Sequence, residues 1–281
     1  MIDTPLRSVL FLPASSARAV EKARTLDCDA VILDLEDAVA PDAKVEAREA
    51  MVEALSAGGF RAPVVAVRVN GLDTPWAADD LAAAARAGAS VVVAPKVADA
   101  ANLKACREAL PREARLWANI ETCEGVLNVR YIANAAGEAG CDAFVFGQND
   151  LSKDMGLRPG RDRRALHAAM SLTVMAARSR GLAAIDGVFN DFGDVAGFED
   201  ECVEGRAFGF HGKALIHPAQ IEIAERAYGP SAADLDWARA VVAAFEDPAN
   251  ADKGAVRVGA VMAERLHLEQ ARRMLEMERR T

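Results

Sequence analysis

The feature that most constrains this chain is an eightfold alternation of two textures. The first is a set of short apolar runs rich in β-branched residues: SVLFLP (8–13), AVILDLE (30–36), VVAVRVN (64–70), SVVVAPKV (90–97), RLWANIE (115–121), AFVFGQND (143–150), AAIDGVF (183–189) and GKALIHP (212–218). The second is longer Ala/Glu/Arg-rich stretches with helical periodicity between them. Successive runs start about 29 residues apart, close to the ~30 residues of one βαβ unit. Continuous rather than alternating apolar runs suit parallel strands covered on both faces. Eight βα units in series predict a closed (β/α)8 TIM barrel. A doubly wound open sheet is the runner-up, but no G-x-G-x-x-G turn follows the first run. Five of the predicted helices end at Gly58, Gly88, Gly140, Gly181 and Gly209, the residue type expected just past a helix C-terminus.

The texture changes after Ala227. The barrel is expected to occupy residues 1–228, and residues 229–281 to form a C-terminal helical extension. Within it, 230–246 reads as a helix with Ser231 as N-cap. A turn-rich loop (247–254), a short extended piece and an amphipathic helix follow. This extension is expected to pack on the barrel or to reach a neighbouring subunit.

Composition narrows the partners. The chain has 281 residues, 52% of them apolar, enough for a core without staples. Its 33 basic and 42 acidic residues leave a formal charge of −9, which argues against a nucleic-acid surface but not against a local phosphate-binding patch. No apolar run approaches the roughly 18 residues of a membrane helix. The first residues lack the parts of a signal peptide. The five cysteines, at 28, 106, 123, 141 and 202, include no C-x-x-C pair, so the expected setting is reduced and cytoplasmic, without a disulfide framework or zinc site.

In such a barrel the active site lies at the C-terminal ends of the strands. Those ends carry Glu36-Asp37, Arg68 and Asn70, Lys96, Asn119 and Glu121, Asn149-Asp150, Asp186 and His217. One such group is ordinary loop chemistry; recurrence on seven consecutive units predicts a polar site. Glu121 and Asp150 fall one unit apart, and two neighbouring carboxylates repel unless one is protonated or a cation lies between them. Oxygen ligands select a hard cation, and Mg²⁺ uses one or two carboxylates with waters and substrate oxygens. Paired carboxylates for glycoside hydrolysis are the alternative. It is weakened by an aromatic content of only 5%. Arg68 suits a substrate carboxylate or a developing enolate, or else an ion pair with Glu36 or Asp37. Lys96 reads as a partner of the rim carboxylates in preference to a Schiff-base lysine.

Taken together, RSVLFLPASSARAVEKA (7–23), VILDLEDAVAPDAKVEAR (31–48), VRVNGLDTPWAADDL (67–81), APKV, ANIET, VFGQNDLSKDMG, AAIDGVF and GFHGKALIHPAQI resemble the citrate lyase beta-subunit-like group of the HpcH/HpaI aldolase superfamily. The resemblance runs in order from residue 7 to about 240. It implies a Mg²⁺-dependent carbon–carbon lyase for 3-hydroxyacyl thioesters such as citryl-, malyl- or citramalyl-CoA, carried on CoA or an acyl-carrier. It implies Glu121 and Asp150 as metal ligands and Arg68 as the substrate-binding arginine, with Glu121 beside the substrate. Glu36 and Asp37 match the acidic pair near the metal's waters. Arg7 and Lys22, with Lys44 and Arg48, are similar to residues around the CoA entrance. A trimer-type homo-oligomer is implied as well.

Related CoA lyases carry a G-K-M-x-D-x-P-H stretch near the C-terminus, whose Asp reaches a neighbour's site. The matching stretch here is AVMAERLH (260–267), with Glu264 in place of that Asp. Its extra methylene moves the carboxylate by about 1 Å, a displacement that catalysis notices. This leaves Glu264 as a candidate acid/base. It also keeps two alternatives open: an aldolase for a free 2-oxo acid aldol product, and an accessory lyase subunit without activity of its own.

Overall fold

The computed structural model describes residues 5–158, 160, 162–250 and 252–278. The eight apolar runs form eight parallel strands that close into a barrel in sequence order. They are β1 Ser8–Pro13, β2 Ala30–Asp34, β3 Val64–Arg68, β4 Val91–Ala94, β5 Arg115–Ile120, β6 Cys141–Phe146, β7 Ala183–Asp186 and β8 Gly212–Leu215. β1 pairs with β2 from Val9↔Ala30 to Pro13↔Asp34, and β8 closes the ring through Ser8↔Lys213. The intervening helices are α1 Ala17–Ala23, α2 Lys44–Ala57, α3 Ala77–Arg86, α4 Ala100–Ala109, α5 Cys123–Ala139, α6 Gln148–Asp154, α7 His167–Ser179, α8 Val195–Phe208 and α9 Ile221–Tyr228. The expected (β/α)8 architecture is the one observed.

Local chemistry sets the helix ends. Ser16, Asp99, Thr122 and Asp194 cap α1, α4, α5 and α8, each accepting a first-turn backbone N–H. The five glycines expected to end helices all have positive φ. At Gly140, φ 66° turns the chain directly from α5 into β6, a conformation that costs a side chain about 1 kcal/mol or more.

Side chains alternate across the barrel wall. The inward set is apolar through the lower barrel, with Val9, Ile32, Val93, Trp117, Val145 and Ile185 among its members. The same two-residue period then turns polar at the C-terminal ends. Ala30 and Ile32 lead to Asp34, Ala66 to Arg68, and Trp117 to Asn119 and Glu121. The barrel is thus plugged below and charged above, which is what confines chemistry to one mouth.

Two elements differ from the sequence expectation. The sixth run was read as extended to Asp150, but β6 stops at Phe146 and residues 148–154 form α6. Gly147 breaks the strand, and the polar QND stretch opens a helix whose N-terminus favours the acid at Asp150. The extended piece near the C-terminus is an antiparallel hairpin, β9 Ala255–Val258 and β10 Val261–Glu264. Gly259, at φ 59°, supplies the first position of its two-residue turn.

The chain divides into two compact units, Met1–Glu225 and Arg226–Thr281. The second unit has its own core, in which α10 Ala232–Glu246, the hairpin and α11 Arg265–Glu278 meet around Val241, Phe245, Val256, Leu268 and Ala271. Ser231 caps α10 in a reciprocal capping box with Asp234. Among the described residues, no helix is long and apolar enough to cross a membrane.

Candidate active site

A cavity of about 340 Å³ opens at the C-terminal ends of the strands, lined among others by Asp34, Asp37, Arg68, Asn119, Glu121 and Asp150. That is the lower end of the range for small-molecule sites. Its organising cation is Arg68, at the last position of β3. Its Nε and Nη2 donate to Asp34 Oδ1 and Oδ2 at 2.7 and 2.6 Å. Its remaining nitrogen, Nη1, lies 3.1 Å from Glu36 Oε2 and 3.4 Å from Asp37 Oδ2. The Phe11 ring lies 5.2 Å from the guanidinium carbon. The Asp34 pairing therefore joins the two ion pairs expected for Arg68, and it is the strongest of the three. Burial opposes charge on both partners, yet their mutual attraction wins: Arg68 is raised above its ordinary pKa and Asp34 is held below its own.

Lys96 follows β4 and is the only non-glycine residue with positive φ among the described residues, at 50°. That bend brings its backbone N–H to Glu121 Oε1 at 2.7 Å. Its ammonium pairs with Glu36 Oε1 and lies 3.7 Å from Asp37 and 3.8 Å from Asp150. It is a partner of the rim carboxylates, as expected. Asn119 Nδ2 donates to Glu121 Oε2 at 3.1 Å, so both oxygens of this 1%-exposed carboxylate are fixed. Gly147 makes room for it: a Cβ there would lie 2.2 Å from Glu121 Oε2.

Five carboxylates, at 34, 36, 37, 121 and 150, thus surround Arg68 and Lys96. A third cation, Lys44, is buried behind them with Nζ on the Leu35 and Glu36 carbonyls. With every group ionised, five carboxylates against three cations leave an excess of two negative charges, which a divalent cation neutralises. Burial, with the charges of Glu121 and Asp37, pushes Glu36 up to about 8 against the opposing pull of Arg68 and Lys96. Burial and the charge of Asp150 push Glu121 up to about 7. Asn119 Oδ1 and Glu36 Oε2 are buried without hydrogen-bond partners. No group of three or more His, Cys, Asp or Glu with metal-binding geometry occurs among the described residues. Two carboxylates at a polar mouth are hard oxygen donors of the kind that suit Mg²⁺, which completes its shell with water and ligand oxygens, whereas zinc favours nitrogen and sulfur donors.

Several expected site residues lie elsewhere. Arg7 precedes β1, at the opposite end of the barrel from the cavity, and its guanidinium grips Asp29 at 3.0 and 3.1 Å. Lys22 sits in the last turn of α1, after the helix has run down from the rim, and is exposed there. Neither lines the cavity. Arg48 is bound to Asp80 at 2.7 Å, and Asp80 in turn accepts from Asn70, which makes the arginine part of the α2–α3 packing. Glu264 belongs to the second unit, where it ends β10, exposed, with its backbone N–H donating to His267 Nδ1. Asp186 points out of the barrel wall and His217 caps the short turn Pro218–Gln220, so neither faces the cavity.

Sequence reasoning missed Asp34 and underused Asn119. The signal was available: both continue the inward two-residue period from Ile32 and Trp117.

The chain is 44% identical over 271 residues to a (3S)-malyl-CoA thioesterase of Cereibacter sphaeroides, covering 96% of this chain and 94% of the relative. It is 32% identical to the citrate lyase subunit beta of Leuconostoc mesenteroides, covering 96% and 92%. The crystal structure of the Mycobacterium tuberculosis protein CitE in complex with magnesium, acetoacetate and coenzyme A superposes with a TM-score of 0.82 at 31% identity, covering 98% of this chain and 99% of that one. The model of the HpcH/HpaI aldolase/citrate lyase family matches residues 7–218, the whole span of the barrel strands, and the chain belongs to that family.

Proposed function

We propose that this protein is a Mg²⁺-dependent carbon–carbon lyase for a 3-hydroxyacyl-CoA of the malyl, citryl or citramalyl type. The observation that carries this reading is a cavity lined by Asp34, Asp37, Glu121, Asp150 and Arg68, with Glu36 and Lys96 paired to one another and to those groups beside it. Glu121 and Asp150 would hold the metal, which supplies Lewis-acid polarisation of the substrate's hydroxyl and adjacent carboxylate oxygens. Arg68 presents Nη1 to the acyl group, its other nitrogens being committed to Asp34. Glu36 and Asp37 stand beside that nitrogen, and Glu36, with its pKa near 8, is suited to take the hydroxyl proton. The C2–C3 bond then breaks, its electron pair passing to a thioester enolate whose charge Arg68 offsets. A proton returned to the enolate carbon from Glu36 gives the acyl-CoA beside the 2-oxo acid.

The 44% identity to a malyl-CoA thioesterase favours a second reading, hydrolysis. Water would add at the thioester carbonyl and the C–S bond would break, giving the hydroxy acid and free CoA. Incubating the purified chain with malyl-CoA and Mg²⁺ separates the two. Acetyl-CoA and glyoxylate mark the lyase; malate and free thiol mark hydrolysis. If malyl-, citryl- and citramalyl-CoA all remain intact, both readings fail in favour of an aldolase for a free 2-oxo acid aldol product or an accessory subunit. The homo-oligomer expected from the resemblance is read by sedimentation velocity.

A further inference from the structure

Behind the rim, between the barrel wall and the helix layer, lies a charge cluster that the proposed chemistry does not use. Lys213 on β8 and Asp186 on β7 are both fully buried and paired at 2.8 Å. The Lys213 ammonium spends its other two donors on Glu201 Oε1 and the Gly187 carbonyl, each at 2.8 Å. Arg163, 4% exposed, donates from Nη1 to both Asp186 oxygens, at 2.8 and 3.0 Å. Buried ion clusters of this kind often add no stability over an apolar packing of the same volume, so their geometry is the more informative property.

That geometry leads to the rim. Arg163 Nη1 also donates to Gln148 Oε1 at 2.9 Å, and Gln148 Nε2 donates to the Val188 carbonyl at 2.6 Å. Gln148 is the first residue of α6, the seven-residue helix that carries Asp150. A helix this short is marginal alone, and no side chain caps this one. On the cavity side, Asn149 and Asn190 exchange amide hydrogen bonds at 2.9 and 3.1 Å. The β6–α6 turn and the loop after β7 are therefore stitched twice, by Gln148 to Val188 and by Asn149 to Asn190.

We infer that Arg163 is a positioning residue: anchored by Asp186, which Lys213 holds in turn, and by Glu204, it holds Gln148, and through it the first turn of α6, so that Asp150 is presented to the metal. The inference rests on the assignment of Asp150 as a ligand and deepens it. Partners of this kind are worth about 10- to 100-fold in metal affinity.

The test uses the full-length protein with Mn²⁺ as a paramagnetic probe, titrated without substrate, and hydrogen exchange of the α6 amides in the metal-free protein. In Arg163→Lys, which keeps the charge but not the fork, and in Gln148→Leu, Mn²⁺ affinity is expected to fall 10- to 100-fold. Leu151 and Met155 amides are expected to exchange faster while the core strands stay protected. Gln148→Glu, which retains an acceptor for Arg163, is expected to recover most of the affinity. Asp150→Ala separates the two assignments. If it binds Mn²⁺ like the parent, the ligand assignment fails. If it loses Mn²⁺ while Gln148→Leu keeps parental affinity and α6 exchange, the positioning role is overturned. Should Arg163→Lys fail to fold, the Gln148 pair decides alone.

Discussion

Arg68 and Asp34 form a two-pronged ion pair, Nε to Oδ1 at 2.7 Å and Nη2 to Oδ2 at 2.6 Å, between inward-facing ends of adjacent strands. The pair fixes the plane of the guanidinium and leaves one nitrogen for the cavity. Lysine has no fork with which to do both. Arg68→Lys is therefore expected to lower kcat about 10²- to 10³-fold, the usual cost of removing a charge-stabilising donor. Steady-state kinetics with malyl-CoA reads this, and parental kcat in the variant would remove Arg68 from the chemistry.

The same pair makes stability depend on acid. Asp34 is held below its ordinary pKa, burial being outweighed by Arg68 and by the backbone N–H groups of Glu36 and Ala38. A depressed carboxyl contributes stability that is complete above its unfolded value of about 3.9 and is lost as pH falls through the folded value. Asp34→Asn is expected to be less stable at neutral pH and to show a shallower acid limb. Urea unfolding followed from neutral pH down to about 3 measures both. Parallel limbs in the two proteins would dissociate Asp34 from acid denaturation.

The barrel was legible because a parallel strand covered on both faces must be apolar throughout, and eight such runs were spaced at one βα unit. The rim was legible because each strand hands its last inward positions to the cavity. Asp34 is masked in the sequence by Glu36 and Asp37 at the end of its run, although the inward alternation from Ala30 and Ile32 runs through it. Arg7 is different: family likeness implies a place at the CoA entrance, while its position before β1 and its ion pair with Asp29 put it at the opposite end of the barrel from the cavity. The Arg163–Asp186–Lys213 cluster joins residues 50 apart in the chain, and no local pattern announces such a pairing.

Gly147 tests how tightly Glu121 is seated. A Cβ at this position would lie 2.2 Å from Glu121 Oε2 and 2.4 Å from its Cβ. The carboxylate has no slack, because the Lys96 backbone and Asn119 hold its two oxygens. Gly147→Ala is expected to cost about 1–3 kcal/mol of stability. It is also expected to cost roughly 10²-fold in activity through displacement of the carboxylate. Thermal unfolding and Mn²⁺ titration check the two effects separately. An alanine variant with unchanged metal affinity would mean that the wall yields and Glu121 does not.

Lys96 carries its charge on a backbone bent to φ 50°. Replacing it with alanine or with glycine removes the same ion pairs, so the difference between the two variants isolates the backbone. Lys96→Gly is expected to be about 1 kcal/mol more stable than Lys96→Ala. Chemical denaturation of the pair reads this difference. Equal stabilities would show that the positive φ is relaxed in the variants and is imposed by the ammonium's contacts with Glu36 and Asp150.

Glu36 and Glu121 couple metal binding to protons. Their carboxyls are pushed up to about 8 and about 7, in both cases first by burial and then by neighbouring acids. An unfolded glutamate ionises near 4.3, so over the interval from there to about 8 the native state binds more protons than the unfolded chain. Stability from these two groups therefore decreases as pH rises through that interval and levels off above it. In the proposed role of metal ligand Glu121 must be ionised, so cation binding there displaces whatever proton Glu121 holds. Titration calorimetry of Mg²⁺ in buffers of different ionisation enthalpy is expected to show proton release near pH 6 that fades above about pH 8. Apparent affinity should rise over the same interval. A proton count that is zero at both ends would mean that Glu121 is already ionised in the metal-free protein, held so by Arg68 and the Lys96 backbone N–H.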